Sequence, residues 1–173
     1  MDSDTSEFAP ILRLDTAEPT GCALFTETSL IVGADKFFEI DLETFQAEEF
    51  LDASDAKLKQ AQSCYKMGSF PLAIIQVCKN PKEYLLSFNE FSVFVDEYGR
   101  STRQNELKSD HLPLSFHFSK SYLYVCQFSA VGILKISEET CNNDEKPDIV
   151  RVELDKFKYL GSNKQGIFIR CQQ

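Results

Sequence analysis

An all-β chain forming part of a β-propeller is what this sequence predicts, and three observations carry the prediction. Short runs rich in aromatic and β-branched residues recur along the whole length, separated by polar or glycine-containing turns. One unit of that pattern repeats: Ser29-Leu30-Ile31-Val32, Tyr84-Leu85-Leu86-Ser87, Tyr122-Leu123-Tyr124-Val125 and Gly166-Ile167-Phe168-Ile169 align at spacings of 55, 38 and 44 residues. Four-stranded propeller blades recur every ~40–45 residues. Finally, a single segment, residues 52–67, reads as helix or ordered loop, and it falls inside the longest spacing. A β-sandwich also accommodates short even strands, but the repeat favours the propeller.

Taken in order, residues 1–7 read as a flexible acidic lead and residues 8–173 as one partial propeller domain of about three to four blades. Residues 8–14 form a leading strand closed by the Glu18-Pro19-Thr20-Gly21 break. The first set follows as 22–25, 29–33, 36–42 and 45–51, with Phe37 on the opposite face from Phe38, Ile40 and Leu42. Residues 52–67 begin with Asp52 or Ser54 as a helix cap. The second set holds 71–78, the hairpin 83–98 turning at Asn89-Glu90, and a polar fourth strand over 100–107. The third set holds 114–118, a turn at Ser119-Lys120-Ser121, then 122–128, 131–136, a loop over 138–148 and a strand over 149–154. The last set, 157–161 and 166–171, stops at its second strand. An incomplete ring leaves a blade edge exposed, and self-association through that edge is expected.

The 173 residues are 43% hydrophobic, with fifteen Phe and no Trp, enough for a real core. No apolar run of about 18 residues is present, so no transmembrane segment is expected. Residues 1–60 hold 14 acidic and 4 basic side chains, and residues 61–120 hold 6 and 7. This balance disfavours nucleic-acid binding, and the acidic first third reads as a solvated surface or as one suited to a basic partner. The six cysteines have no C-x-x-C spacing, and neither histidine has a neighbouring Cys, so no metal site or other cofactor is predicted. The cysteines read as reduced thiols of a cytoplasmic protein, those at 22, 78, 126 and 171 within strands.

Catalytic groupings are absent by pattern. Glu48, Glu49, Asp52 and Asp55 read as a solvated acidic edge rather than an acid–base site. His111 and His117 have no nucleophile motif nearby. The glycines build no phosphate loop. Tyr98, Arg100 and Arg103 are the candidate partner-binding residues, because Tyr and Arg combine apolar area with directed hydrogen bonds. Asp96 and Gly99 are assigned to the turn itself, Gly99 for positive φ. The plainer reading of this stretch is a turn whose Asp96 bonds the backbone or pairs with an Arg of its own strand.

Several segments resemble the citron homology (CNH) domain family, in particular the C-terminal half of its citron branch. They are Asp35-Lys36-Phe37-Phe38-Glu39-Ile40-Asp41, Glu48-Glu49-Phe50-Leu51-Asp52, Phe91 through Arg100, Leu112-Pro113-Leu114-Ser115-Phe116, Tyr122-Leu123-Tyr124-Val125, and Arg151 through Gly161. The resemblance runs from about Leu24 to Cys171, with Asp96-Glu97-Tyr98-Gly99-Arg100 its most specific part. Ser101 stands where a second Arg is common in the family, and Ser109 where a Trp is common. The resemblance implies a non-enzymatic β-propeller that binds Rho-class small GTPases or cytoskeletal scaffold proteins. For the citron branch it also implies localisation to the cell cortex, cleavage furrow and midbody in cytokinesis. A structural piece that completes a larger propeller is the alternative from a different class, and an enzyme built on a propeller is a third.

Overall fold

Each repeat of the sequence pattern becomes an antiparallel sheet in which consecutive strands pair with their neighbours. The computed structural model describes residues 13–136, 149–154, 157–163 and 166–171. The first sheet is β1 (Cys22–Phe25), β2 (Ser29–Gly33), β3 (Phe37–Asp41) and β4 (Ala47–Glu49). The second is β5 (Pro71–Lys79), β6 (Lys82–Phe88), β7 (Phe91–Asp96) and β8 (Leu107–Lys108). The third is β9 (Ser115–Ser119), β10 (Tyr122–Cys126), β11 (Ala130–Lys135) and β12 (Ile149–Glu153). A two-stranded sheet of β13 (Phe157–Asn163) and β14 (Gly166–Cys171) closes the series. The aligned segments are β2, β6, β10 and β14, the second strand of each sheet. The leading residues 1–7, most of the strand expected over 8–14, and the loop over 138–148 lie outside the described residues.

The sheets stand side by side: β5 touches β1 and β2, and β9 touches β5 and β14. Two apolar clusters fill the spaces between them. One joins the first two sheets through Ile31, Phe37, Phe50, Tyr84, Leu86, Phe88, Phe91, Val93 and Val95. The other joins the second and third sheets through Val77, Leu85, Phe94, Leu123, Leu134 and Ile136. Successive residues of β6 and β7 therefore enter different clusters, as the period-2 alternation of a strand requires. Phe88 and Phe91 stack at 4.6 Å across the Asn89-Glu90 turn, and Phe37 meets Phe88 edge-on at 5.4 Å. All three rings are fully buried, each worth roughly 2–3 kcal/mol.

Three expected elements differ in the structure. The first sheet's fourth strand is only Ala47–Glu49. Phe45 has φ 59° in a turn where Asp41 Oδ1 accepts from the backbone N–H groups of Glu43 and Thr44, and Phe50 and Leu51 fold into the core instead. The fourth strand of the second sheet is only Leu107–Lys108, preceded by a lone bridge between Ser101 and Val95. Over 100–102 the backbone stays beside β7, with Asp96 N–H donating to Arg100 O and Thr102 N–H to Phe94 O, while Ser101 N–H donates to Asp55, Arg100 reaches Asp52 and Arg103 reaches Glu83. The helical insert is capped by Asp55, whose carboxylate accepts from Lys57 N–H, rather than by Asp52 or Ser54. It contains a 3-10 turn (Ala56–Leu58), α1 (Lys59–Gln62) and a second 3-10 turn (Cys64–Met67), and it ends at left-handed Gly68. Its buried face is Leu58, Ala61 and Cys64.

The five described cysteines are free thiols. Burial pushes the Cys22 thiol up to about 11, partly offset by a hydrogen bond with the Gly33 backbone. Burial raises Cys64 and Cys126 as well. The thiolate is the reactive form. Alkylation at pH 8 followed by mass spectrometry is therefore expected to modify exposed Cys171 well before Cys22, Cys64 and Cys126. Equal rates for the four in folded protein would show that the strand interiors are open.

Candidate interaction surface around the Tyr98 turn

The turn that follows β7 is assembled by one carboxylate. Asp96 Oδ1 accepts from the backbone N–H groups of Tyr98 and Arg100, both at 2.9 Å. The chain reverses at Gly99, whose φ is 71°. A side chain there would collide with the Phe50 carbonyl oxygen, so glycine is needed for space as well as for φ. The turn thereby lies flat on the first sheet, and Asp52 N–H donates to Gly99 O at 3.1 Å.

The insert grips the turn from its other side. Arg100 Nε donates to Asp52 Oδ2 at 3.1 Å, and Asp55 Oδ2 accepts from Ser101 N–H at 2.8 Å. Hydrogen bonds from Ser54, with help from Arg100, hold the Asp52 carboxyl below its usual range. Asp52 and Asp55, which the sequence marked only as part of an acidic edge, are thus the residues that fix the turn. Of the same group, Glu49 pairs with Lys36, and Glu48 faces solvent. His111 is exposed, and His117 packs its ring against Tyr124 in the third sheet.

Tyr98, Arg100 and Arg103 do not share one environment. Tyr98 is 67% exposed, with the Arg100 guanidinium 5.7 Å from its ring centre. Arg100 is also mostly exposed. Arg103 is inside. Its Nε and Nη2 donate to Glu83 Oε1 and Oε2 at 2.9 and 2.6 Å, and its guanidinium carbon lies 3.8 Å from the Phe94 ring centre. Thr102 Oγ1 donates to Glu83 Oε1 at 2.5 Å. Glu83 is 2% exposed, and it was missed as a key residue. Its signal is a carboxylate next to the apolar run Tyr84-Leu85-Leu86, and it stands opposite Asp96 across the β6–β7 pair. Two facing carboxylates repel, and Arg103 neutralises the buried one while Asp96 bonds the turn.

Beside Tyr98 lies a groove of about 420 Å³. Glu39, Asp41, Glu48, Glu49 and Glu97 line it, with Phe50 and Tyr98 on its wall. Lys36 and Lys82 offset two of these charges by pairing with Glu49 and Glu97. Lys82 is held above its ordinary value by that hydrogen bond and the Glu97 charge. The surface around Tyr98 is therefore a rigid aromatic projection over an acidic depression, with Arg100 already neutralised by Asp52. Among the described residues no set of three or more His, Cys, Asp or Glu is placed to hold a metal ion. No helix among them is long and apolar enough to cross a membrane.

Residues 2–145 match the CNH domain family. The chain is 38% identical over 151 residues to citron Rho-interacting kinase of Homo sapiens, covering 86% of this chain. It is 37% identical over 158 residues to the Rattus norvegicus counterpart, covering 90% of this chain. It spans only 7–8% of the length of these relatives. The solved AfRom2 CNH domain superposes with a TM-score of 0.71 at 21% identity, over 90% of this chain and 47% of that one. The repeated sheets, the order of matched segments and these likenesses agree, and the chain belongs to the CNH domain family.

Proposed function

We propose that this chain is a non-catalytic protein-interaction module whose contact surface is centred on the Tyr98 turn. Its partner is a Rho-class small GTPase or a cytoskeletal scaffold protein. Through that contact the parent protein is held at the cell cortex, cleavage furrow and midbody. One observation carries the reading: a large aromatic side chain stands exposed on a turn that Asp96, Asp52 and Asp55 brace with hydrogen bonds. Exposed Tyr on a pre-organised surface is the usual composition of a binding hot spot. The names of the citron relatives support a Rho-class partner. The acidic groove beside Tyr98 selects the basic part of that partner's surface.

Tyr98→Ala and Arg100→Ala are the variants to titrate against nucleotide-loaded Rho-class GTPases by calorimetry. Tyr98→Ala is expected to weaken binding roughly tenfold, with Arg100→Ala a smaller loss. Melting temperatures stay close to the parent, because the Arg100–Asp52 pair is exposed and worth ~0–1 kcal/mol. Arg103 is left intact, since its guanidinium belongs to the interior pair. Unchanged affinity in folded variants would remove the turn from the interface. That outcome would favour a second reading, in which the chain completes a larger propeller. That the chain covers 47% of the AfRom2 CNH domain it superposes on supports it.

A further inference from the structure

A groove of about 460 Å³ lies where the insert meets the start of β5, and it shares no lining residue with the acidic groove beside Tyr98. Its walls include Pro19, Ala34, Tyr65, Phe70 and Leu72, and Glu18 is the one charged residue among those lining it. Tyr65 and Phe70 are 49% and 44% exposed, and Met67 beside them is 55% exposed. An apolar surface walled by aromatic side chains has the composition of an interface core.

The groove is preformed. Left-handed Gly68 ends the insert, and the chain turns into it with Ser69 1% exposed. Asn89 Oδ1 accepts from Phe70 N–H at 3.0 Å and from Ser69 Oγ at 2.5 Å. The β6–β7 hairpin turn thus fixes the groove wall. On the opposite side, Tyr65 Oη donates to Glu18 Oε1 at 3.3 Å, using one of that carboxylate's two oxygens. No Lys or Arg among the described residues pairs with Glu18. An uncompensated carboxylate at the edge of an apolar groove suits an apolar side chain flanked by a cation.

We propose that this groove is a second docking site, taking a short peptide segment of a partner that presents an aromatic or aliphatic side chain next to Lys or Arg. The apolar side chain lies between Phe70 and Tyr65, and the cation meets Glu18. The site is independent of the Tyr98 surface.

A displayed library of random octapeptides, panned on the full chain, tests this. Enriched peptides are expected to carry an apolar side chain beside Lys or Arg. A soluble peptide of that kind should lose roughly tenfold in affinity with Phe70→Ser and roughly fivefold with Glu18→Lys. Tyr98→Ala should leave its affinity unchanged. Tyr65→Ser replaces Phe70→Ser if that variant fails to melt cooperatively. No enrichment over blank resin, enrichment of acidic peptides, or binding indifferent to the groove variants overturns the proposal. Binding that appears only after residues 1–12 are deleted also overturns it, by making the chain's own lead the occupant.

Discussion

Glu83→Ala is expected to lower the unfolding free energy of the intact chain by about 3–5 kcal/mol, the usual cost of removing one partner of a buried ion pair. The carboxylate is 2% exposed and receives three hydrogen bonds, two from Arg103 and one from Thr102. Without it, the Arg103 guanidinium stays enclosed against Phe94 with its charge uncompensated. Arg103→Ala should cost a similar amount, because Glu83 then keeps a buried negative charge opposite Asp96. The double variant Glu83→Leu, Arg103→Met is expected to recover most of the loss, since the desolvation of both charges disappears together. Urea denaturation followed by circular dichroism measures all three. If the single variants melt like the parent, the pair is not buried as described. If the double variant is as unstable as the sum of the singles, the loss lies in packing rather than in charge.

Gly99→Ala is expected to cost at least ~2 kcal/mol, from left-handed backbone strain and the collision with Phe50 together. Both causes act on backbone atoms, so neither is relieved by a rotamer change. The cost falls where Asp52 N–H bonds Gly99 O, so the variant should also loosen the hold on Tyr98. Gly68→Ala is the matched control. It has the same sign of φ, 75°, but nothing within reach of an added methyl group, so it reports strain alone. A Gly99→Ala loss no greater than that of Gly68→Ala would mean that the turn does not rest on the first sheet.

The strands were legible wherever alternation was strong. β2, β6 and β10 stand as the second strands of their sheets because Leu30, Leu85 and Leu123 lie in apolar runs bounded by turns. The Asn89-Glu90 hairpin and the Gly99 turn were readable for the same reason, from residue types that fit reversals. Reading failed where side chains rather than periodicity decide the backbone. Residues 100–107 read as a polar strand, but Arg100, Ser101 and Arg103 also reach Asp52, Asp55 and Glu83, 20 to 48 residues away in sequence, and the ladder shrinks to a lone bridge at Ser101 ahead of Leu107–Lys108. The candidate site divided similarly. Tyr98 and Arg100 are on the surface as their turn suggested, and Arg103 is inside because of Glu83, a partner that spacing alone does not reveal. Asn89 was readable as a turn residue, whereas its hold on Ser69 and Phe70 depends on tertiary placement.

The second sheet buries both faces, and this bears on the stiffness of the Tyr98 turn. Any excursion that opens β6 and β7 must uncover two apolar clusters at once, so their local opening is costly. The Tyr98 turn is the direct continuation of β7, and the insert clasps it from the other side. A surface anchored in this way has little freedom to remould itself. In the contact proposed above, adaptation falls to the partner rather than to Tyr98.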